Sequence, residues 1–389
     1  MLVVKTFTVR SSSVLIFADW EVRPILHFSD LVDGLSSADI VRLAQAQLTE
    51  EALADKVSAR DYIRFSACLD RAAAKLFFRR PPKMKLYLAG IYTANFKIGG
   101  NLYNRLTENE KWQRECVTNL LESYHYIHRQ SFVDSIRGDN RKVFLDSGAF
   151  SAFTKGVQVD LPAYCDYIKR NRDIIEEVDG SLLASVLDGI GDPLKTYQNQ
   201  MAMESLGVRP LPCFHYGEDE RYLDYYVANY DYITLGGMVP ISTPQLLHWL
   251  DRIWDEHLTD GAGRPKVKVH GFGLTTVSLM ERYPWYSVDS SSWVQIARVG
   301  GMLLMPEARV INVSDRSPQR RIEGQHLDNL PPIQRQAVEA KLAACGVDTA
   351  RMRETYLSRW CYNIWAFDQL GKNHFRADPQ FIRAQPGLF

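Results

Sequence analysis

From Lys85 onward, short apolar runs alternate with helical patterns, and this alternation limits the fold more than any other feature of the 389-residue chain. The runs are Leu86–Ala89, Val143–Leu145, Leu182–Leu187, Val208–Phe214, Tyr232–Leu235, Val267–Phe272, Trp285–Val288 and Met302–Val313, the last interrupted at Pro306 and open to being two short pieces. Apolar runs of this length are expected for strands buried on both faces. Between them the pattern predicts helices at Glu108–Arg129, Pro162–Glu177, Pro193–Leu206, Asp219–Ala228, Thr243–His257, Thr276–Tyr283 and Ser292–Val299. Eight strands alternating with helices predict an α/β fold of (β/α)8 TIM-barrel type, about 250 residues long. A doubly wound open sheet is the competing topology, and the count of eight favours the barrel.

The barrel is expected over residues 84–315. Residues 1–83 read as a small α+β extension: a hairpin of Leu2–Val9 and Ser13–Ala18, then helices over Ala38–Leu48 and from Thr49 to about Phe78. Arg79-Arg80-Pro81-Pro82-Lys83 is a basic, proline-broken junction. Residues 316–389 read as a C-terminal helical region. It holds Pro331–Ala344 and a longer helix capped by Asp348, with Met352, Tyr356, Trp360 and Ile364 every four residues and a stop at Gly371.

Composition excludes several classes. Lys plus Arg and Asp plus Glu both number 46, so charge alone would not coat a nucleic acid. No window approaches the ~18 apolar residues of a membrane span, and Met1–Arg10 lacks the apolar block of a signal peptide. The six cysteines (Cys68, Cys116, Cys165, Cys213, Cys345, Cys361) are dispersed and form no CxxC or CxC pair. That pattern reads as reduced thiols in a cytoplasmic protein, with no local zinc cluster.

Polar residues fall where the apolar runs end. Asp146 follows Val143–Leu145, Asp188 follows Leu182–Leu187, and His215 follows Val208–Phe214. Gly236 and Gly237 follow Tyr232–Leu235, Gly273 follows Val267–Phe272, and Asp289 follows Trp285–Val288. In a barrel these ends converge on one rim, where active sites are built. Three carboxylates there suit a nucleophile, an acid/base group and a recognition group. The structural alternative for any such Asp is a helix cap or turn, and Asp192-Pro193 is best read that way. His215 is balanced between pocket and structural roles. His270, inside a strand, reads as structural, and Cys213 as core.

Asp146-Ser147-Gly148-Ala149-Phe150 resembles the Asp-Ser-Gly-Gly-Phe string of tRNA-guanine transglycosylases. Leu235-Gly236-Gly237-Met238 is similar to their base-binding loop, and Val269–Gly273 to the strand before their nucleophile, where Asp289 then falls. The resemblance spans about residues 84–315. The departures are informative. The family's Cys-x-Cys-x-x-Cys cluster is missing, Ser290-Ser291-Ser292-Trp293 follows Asp289, and Cys213–Glu218 replaces a Gln-Gly element. These differences resemble the DNA-modifying branch of bacteriophages and bacterial genomic islands, which exchanges guanine in DNA for a 7-deazaguanine base.

The resemblance implies a covalent glycosyl–Asp289 intermediate, with Asp146 as acid/base and Asp188, Gly236 and Gly237 reading the base edge. It implies Ser147 and His215 at the substrate, with Phe150, Tyr216, Met238 and Trp293 as stacking candidates. Arg316, Arg320 and Arg321, after the last expected strand, are the candidate phosphate contacts; a solvated loop is the alternative. Arg79, Arg80, Lys83 and Lys85 would lie at the opposite rim. The expected partners are DNA and a free 7-deazaguanine base such as 7-cyano-7-deazaguanine, with no membrane and no fixed oligomeric state. No cofactor is required. A zinc site made of distant residues, such as His215 with scattered cysteines, stays open. Competing functions are base exchange into tRNA, nucleoside or glycoside hydrolysis, and a non-catalytic nucleic-acid-binding barrel.

Overall fold

In the computed structural model, residues 84–373 are described together with 380, 381 and 383, and the N-terminal part through three strands. The chain divides into two compact units, Met1–Pro82 and Lys83–Phe389. In the first, β1 (Val4–Val9) pairs antiparallel with β2 (Ser12–Phe17), which pairs with β3 (Leu26–His27). The expected hairpin is therefore present. The helices expected over Ala38–Leu48 and Thr49–Phe78, with Arg79, Arg80 and Lys83, lie outside the described residues.

The second unit is an α/β fold on a curled, seven-stranded parallel sheet. Its strands are β4 (Lys85–Ala89), β5 (Leu120–Ser123), β6 (Phe144–Asp146), β9 (Cys213–His215), β10 (Tyr232–Gly236), β11 (Lys268–Gly271) and β12 (Ser287–Ser290). The order is β6-β5-β4-β12-β11-β10-β9. A short antiparallel pair, β7 (Glu177–Val178) and β8 (Ser181–Leu182), precedes the extended segment 183–187. That segment bridges both sheet edges: Leu145 pairs with Ala184, and Ser185 pairs with Leu211. The bonds are Ser185 N to Leu145 O (2.9 Å) and Val186 N to Leu211 O (3.0 Å).

Side-chain alternation sorts the core. Tyr87, Leu121, Phe144, Leu183, Leu211 and Tyr232 form one small cluster on the concave face. Their neighbours Leu86, Leu88, Leu120, Leu145, Ile233 and Leu235 join the larger cluster under the helices. The concave face is thus plugged by one layer of large side chains, and polar residues further along the strands stand above it.

Two expected elements are corrected. The helix expected over Glu108–Arg129 is interrupted: α1 (Glu108–Glu115) ends before Val117-Thr118-Asn119, β5 follows, and α2 (Tyr124–Ile127) resumes. Thr107 and Glu110 form the capping box that starts α1, and the β-branched pair Val117-Thr118 helps stop it. Conversely, Met302–Val313 supplies no strand to the parallel sheet. It folds as an antiparallel hairpin of β13 (Gly301–Leu304) and β14 (Arg309–Asn312), turning through Met305–Ala308.

The remaining helices are α3 (Gln130–Gly138), α4 (Ala149–Thr154), α5 (Leu161–Arg170), α6 (Pro193–Ser205), α7 (Glu220–Asn229), α8 (Thr243–Ile253), α9 (Val277–Arg282), α10 (Ser292–Arg298), α11 (Pro332–Ala344), α12 (Thr349–Glu354) and α13 (Tyr356–Asn373). Asp192 caps α6 by accepting from Lys195 N (2.9 Å), with Pro193 in the first turn, as its sequence predicts. Asp348 caps only the short α12; the chain breaks at Thr355 and restarts as α13. Gly371 does not stop that helix. It lies inside it, where a Cβ would come 2.8 Å from Leu86 Cβ, so its smallness lets α13 approach β4. Among the described residues no helix is long and apolar enough to cross a membrane.

Candidate functional site

The C-terminal ends of the parallel strands gather the expected polar residues. Asp146 is the last residue of β6, His215 the last of β9 and Gly236 the last of β10; Asp289 is the third of four in β12. Asp188 follows the segment 183–187 directly.

Asp146 opens a tight turn. Its Oδ2 accepts from Gly148 N (3.1 Å), and Ser185 Oγ lies 3.5 Å from Oδ1. Gly148 holds a left-handed backbone (φ 73°), and a Cβ there would come 2.2 Å from Ser123 Oγ and 2.5 Å from His125 Cβ. Only glycine fits both demands. Ser147 is fully buried and its N–H donates to Ser185 Oγ (2.8 Å), so it braces the turn. Burial pushes the Asp146 carboxyl up to about 7, and the negative charges of Asp188 and Asp289 push the same way. The Gly148 N–H offsets only part of this. The coupling ties the three carboxylates into one electrostatic cluster.

Asp289 is buried and held from two sides. Gly273 N donates to its Oδ1 at 2.7 Å, and His270 Nε2 lies 3.5 Å from the same oxygen. Oδ2 accepts no hydrogen bond among the described residues. Gly273 has φ 64°, which turns its N–H toward the carboxylate. Behind Asp289 runs a buried polar chain: His270 Nδ1 to Ser287 Oγ (2.6 Å), and Ser287 Oγ to Tyr232 OH (2.6 Å). The His270 ring is packed between Tyr87, Phe144 and Phe272. Burial lowers its basicity, more than Asp289 restores it.

His215, Asp188 and Cys213 form the third group. His215 Nδ1 lies 3.0 Å from Glu218 Oε1, and its backbone N donates to Glu218 Oε2 (2.9 Å). Its Nε2 lies 3.4 Å from Cys213 Sγ and 3.6 Å from Asp188 Oδ1. Burial opposes protonation of His215, but Cys213, Asp188 and Glu218 together outweigh it and raise its proton affinity. The carboxylates carry that effect at neutral pH, because burial pushes the Cys213 thiol up to about 11 and keeps it uncharged. Gly236 makes room for the group: a Cβ would come 2.8 Å from His215 Cδ2 and 3.1 Å from Cys213 Sγ. At Gly237 (φ 70°) a Cβ would come 3.1 Å from Tyr216 N.

The other expected site residues are not all brought here. Trp293 is fully buried on the outer side of the sheet, where its Nε1 donates to Ala89 O (2.9 Å) and its ring meets Trp360 edge-on. Met238 is 2% exposed and packs near Gly271. Neither offers a face to a ring. Phe150, on the first turn of α4, is 65% exposed. Tyr216 is half-buried against Trp249. Arg316, Arg320 and Arg321 are exposed but follow the β13–β14 hairpin instead of a strand of the parallel sheet. Arg320 is paired with Asp315 (3.5 Å), and no ion pair among the described residues joins the three arginines to the carboxylate cluster. Lys85, at the opposite end of β4, pairs with Glu176 (2.7 Å).

Sequence reasoning passed over four contributors. In the sequence, His270 and Cys213 read as structure and core, Glu218 carries no role, and Glu122 lies inside an expected helix. Glu122 is fully buried, accepts from Tyr92 N (2.6 Å) and Thr93 Oγ1 (2.8 Å), and is pushed up to about 7 by burial. It anchors the loop after β4. The two ring and thiol partners could have been found by counting strand parity. His270 shares a face with Phe272, and Cys213 is two residues from His215.

No protein-family model matches the chain, and no curated protein matches it significantly.

Proposed function

We propose that the chain is a base-exchanging pentosyltransferase that replaces guanine in DNA by a 7-deazaguanine base through a covalent glycosyl-aspartate. The observation that carries this reading is the pairing of two unlike carboxyls at the strand ends. Asp289 has one oxygen fixed by Gly273 N and the other without a hydrogen-bond partner among the described residues. Asp146 takes up its proton near neutrality. A nucleophile and an acid/base group are what displacement at a sugar anomeric carbon requires.

In the proposed first half, Asp289 Oδ2 attacks C1′, the C1′–N9 bond breaks, and Asp146 gives its proton to the departing guanine. In the second half, N9 of the incoming base attacks C1′, the ester to Asp289 breaks, and the N9 proton returns to Asp146. Atoms and charges balance, and Asp146 is half-protonated near pH 7, as both steps need. His270 is a positioning residue that faces the fixed oxygen of Asp289. A 7-deaza base lacks the N7 at which guanine is protonated as it leaves, which favours exchange in one direction.

The same reading takes the curled sheet as a (β/α)8-type barrel, with segment 183–187 as the eighth stave. The Leu145–Ala184 and Ser185–Leu211 bridges support it. Phe150, exposed just beyond Asp146, is the best-placed partner for a flipped base.

The test is nucleoside mass spectrometry of DNA and tRNA from cells expressing the chain with a supplied 7-deazaguanine base. Modified DNA is expected with the wild type, and a loss beyond about a thousandfold with Asp289→Ala. Modified tRNA with unmodified DNA would select the tRNA-acting alternative. Guanine released to water without an incoming base would select a hydrolase.

A further inference from the structure

We infer that Asp188, Cys213 and His215 form a mononuclear zinc-binding site, which goes beyond the base-exchange reading and does not depend on it. A carboxylate oxygen of Asp188, Cys213 Sγ and a His215 ring nitrogen all lie within 4.8 Å of one another. Zinc bonds of about 2.0–2.3 Å at tetrahedral angles place neighbouring donors about 3.4–3.6 Å apart. His215 Nε2 lies 3.4 Å from Cys213 Sγ and 3.6 Å from Asp188 Oδ1. Two of the three donor separations thus already match what the metal needs, and the third lies within 4.8 Å.

Two further observations point to a ligand. Asp188 Oδ1 is buried with no hydrogen-bond partner, a costly state for a carboxylate oxygen that a cation would relieve. His215 is oriented from behind: Nδ1 meets Glu218 Oε1 at 3.0 Å, the carboxylate–histidine arrangement that fixes the tautomer of a metal-binding imidazole and aims Nε2 forward. Gly236 leaves the space, since any side chain would press on His215 and Cys213.

The donor set selects the metal. A thiolate and an imidazole favour zinc over magnesium or calcium, which want oxygen alone. On binding, S–Zn and N–Zn bonds form, and the thiol proton and any proton on His215 Nε2 go to solvent. Three protein ligands leave one tetrahedral position for water or a substrate atom, as in catalytic zinc sites. The ligands come from one strand, β9, and the loop after segment 183–187, so they differ from a Cys-x-Cys-x-x-Cys cluster. The described cysteines other than Cys213 take no part in any such group.

The experiment uses the full chain, stripped with a chelator and reloaded with zinc or cobalt alone. One metal per chain should survive gel filtration, and the cobalt form should show a thiolate-to-cobalt charge-transfer band. Cys213→Ser should remove that band, and Cys361→Ser should keep it. Glu218→Gln, which keeps an acceptor for the His215 backbone N–H but removes the carboxylate charge at Nδ1, should weaken binding about 10- to 100-fold. X-ray absorption on the wild type guards against variants that fail to fold: it should find one sulfur beside nitrogen and oxygen donors. No retained metal, a band that survives Cys213→Ser, or a shell without sulfur would overturn the proposal. Neither DNA nor base enters these measurements, so their failure leaves the exchange reading to its own assay.

Discussion

Asp146→Asn tests the electrostatic coupling of the carboxylate cluster apart from any activity. The Asp146 carboxyl moves from 3.8 to about 7 in the folded chain, roughly three units, and at about 1.4 kcal/mol per unit the full linkage is about 4 kcal/mol. Asp146 as a residue is only partly buried, so solvent screening reduces this toward about 2 kcal/mol. The folded-state value is raised, so the contribution of Asp146 is fully present below pH 3.8 and is lost as pH rises through about 7. Asparagine has the same shape and does not titrate. The stability of the variant relative to wild type should therefore grow by about 2–4 kcal/mol between about pH 4 and pH 8. Urea midpoints of the two proteins, compared at each pH, give this difference, and carboxylates outside the cluster cancel. Asp188→Asn in both backgrounds should shrink the effect without abolishing it, because burial is the largest cause and Asp188 the next. A difference that is the same at both pH values would refute the raised proton affinity, and with it the acid/base role of Asp146.

Two substitutions probe the turn and the rim. Gly148→Ala meets both a left-handed backbone and a contact at 2.2 Å, so it should cost more than about 2 kcal/mol and lower the melting temperature by several degrees. Phe150→Ala, at a 65% exposed position, should change stability by less than about 0.5 kcal/mol, seen as an unshifted melting curve. With the exchange reading, the same variant should lose about 1–3 kcal/mol of stacking, measured as kcat/KM on single-stranded DNA.

The fold was legible where strands carry unbroken apolar runs between turn residues. It was least legible where a strand carries a buried charge. Leu120-Leu121-Glu122-Ser123 offers only two apolar residues, and its flanks, Glu108–Glu115 and Tyr124–Ile127, both are helical. A continuous helix was the natural expectation; Val117-Thr118-Asn119 was the weak signal against it. Glu122 is tolerated because two backbone N–H groups and the Thr93 hydroxyl meet its carboxyl. No local pattern reveals such a partnership. The opposite error, Met302–Val313, was a true pair of strands whose partner is each other. Pro306 marked the reversal, and the hairpin removed the argument that put Arg316, Arg320 and Arg321 on the rim.

The site was legible as a set of strand ends and illegible as a set of contacts, for a reason that parity makes concrete. In β12, Ser287 and Asp289 share one face while Val288 joins the core under the helices. In β11, His270 faces the interior while Val269 faces out. Register aligns His270 with Ser287, so the two strands alone put an imidazole beneath the Asp289 carboxylate. Trp293 is the converse case. Four residues past Asp289 it is close in sequence, yet it sits on the first turn of α10 and packs outward on Trp360. Proximity along the chain therefore proposes a stacking residue only when the helix phase points inward. Of the four aromatic and methionine candidates, that criterion removes Trp293, and burial removes Met238. In the exchange reading, Phe150 and the half-buried Tyr216 are left as candidates to contact a base, which is why Phe150→Ala separates the proposed substrate contact from stability more cleanly than any other change at the rim.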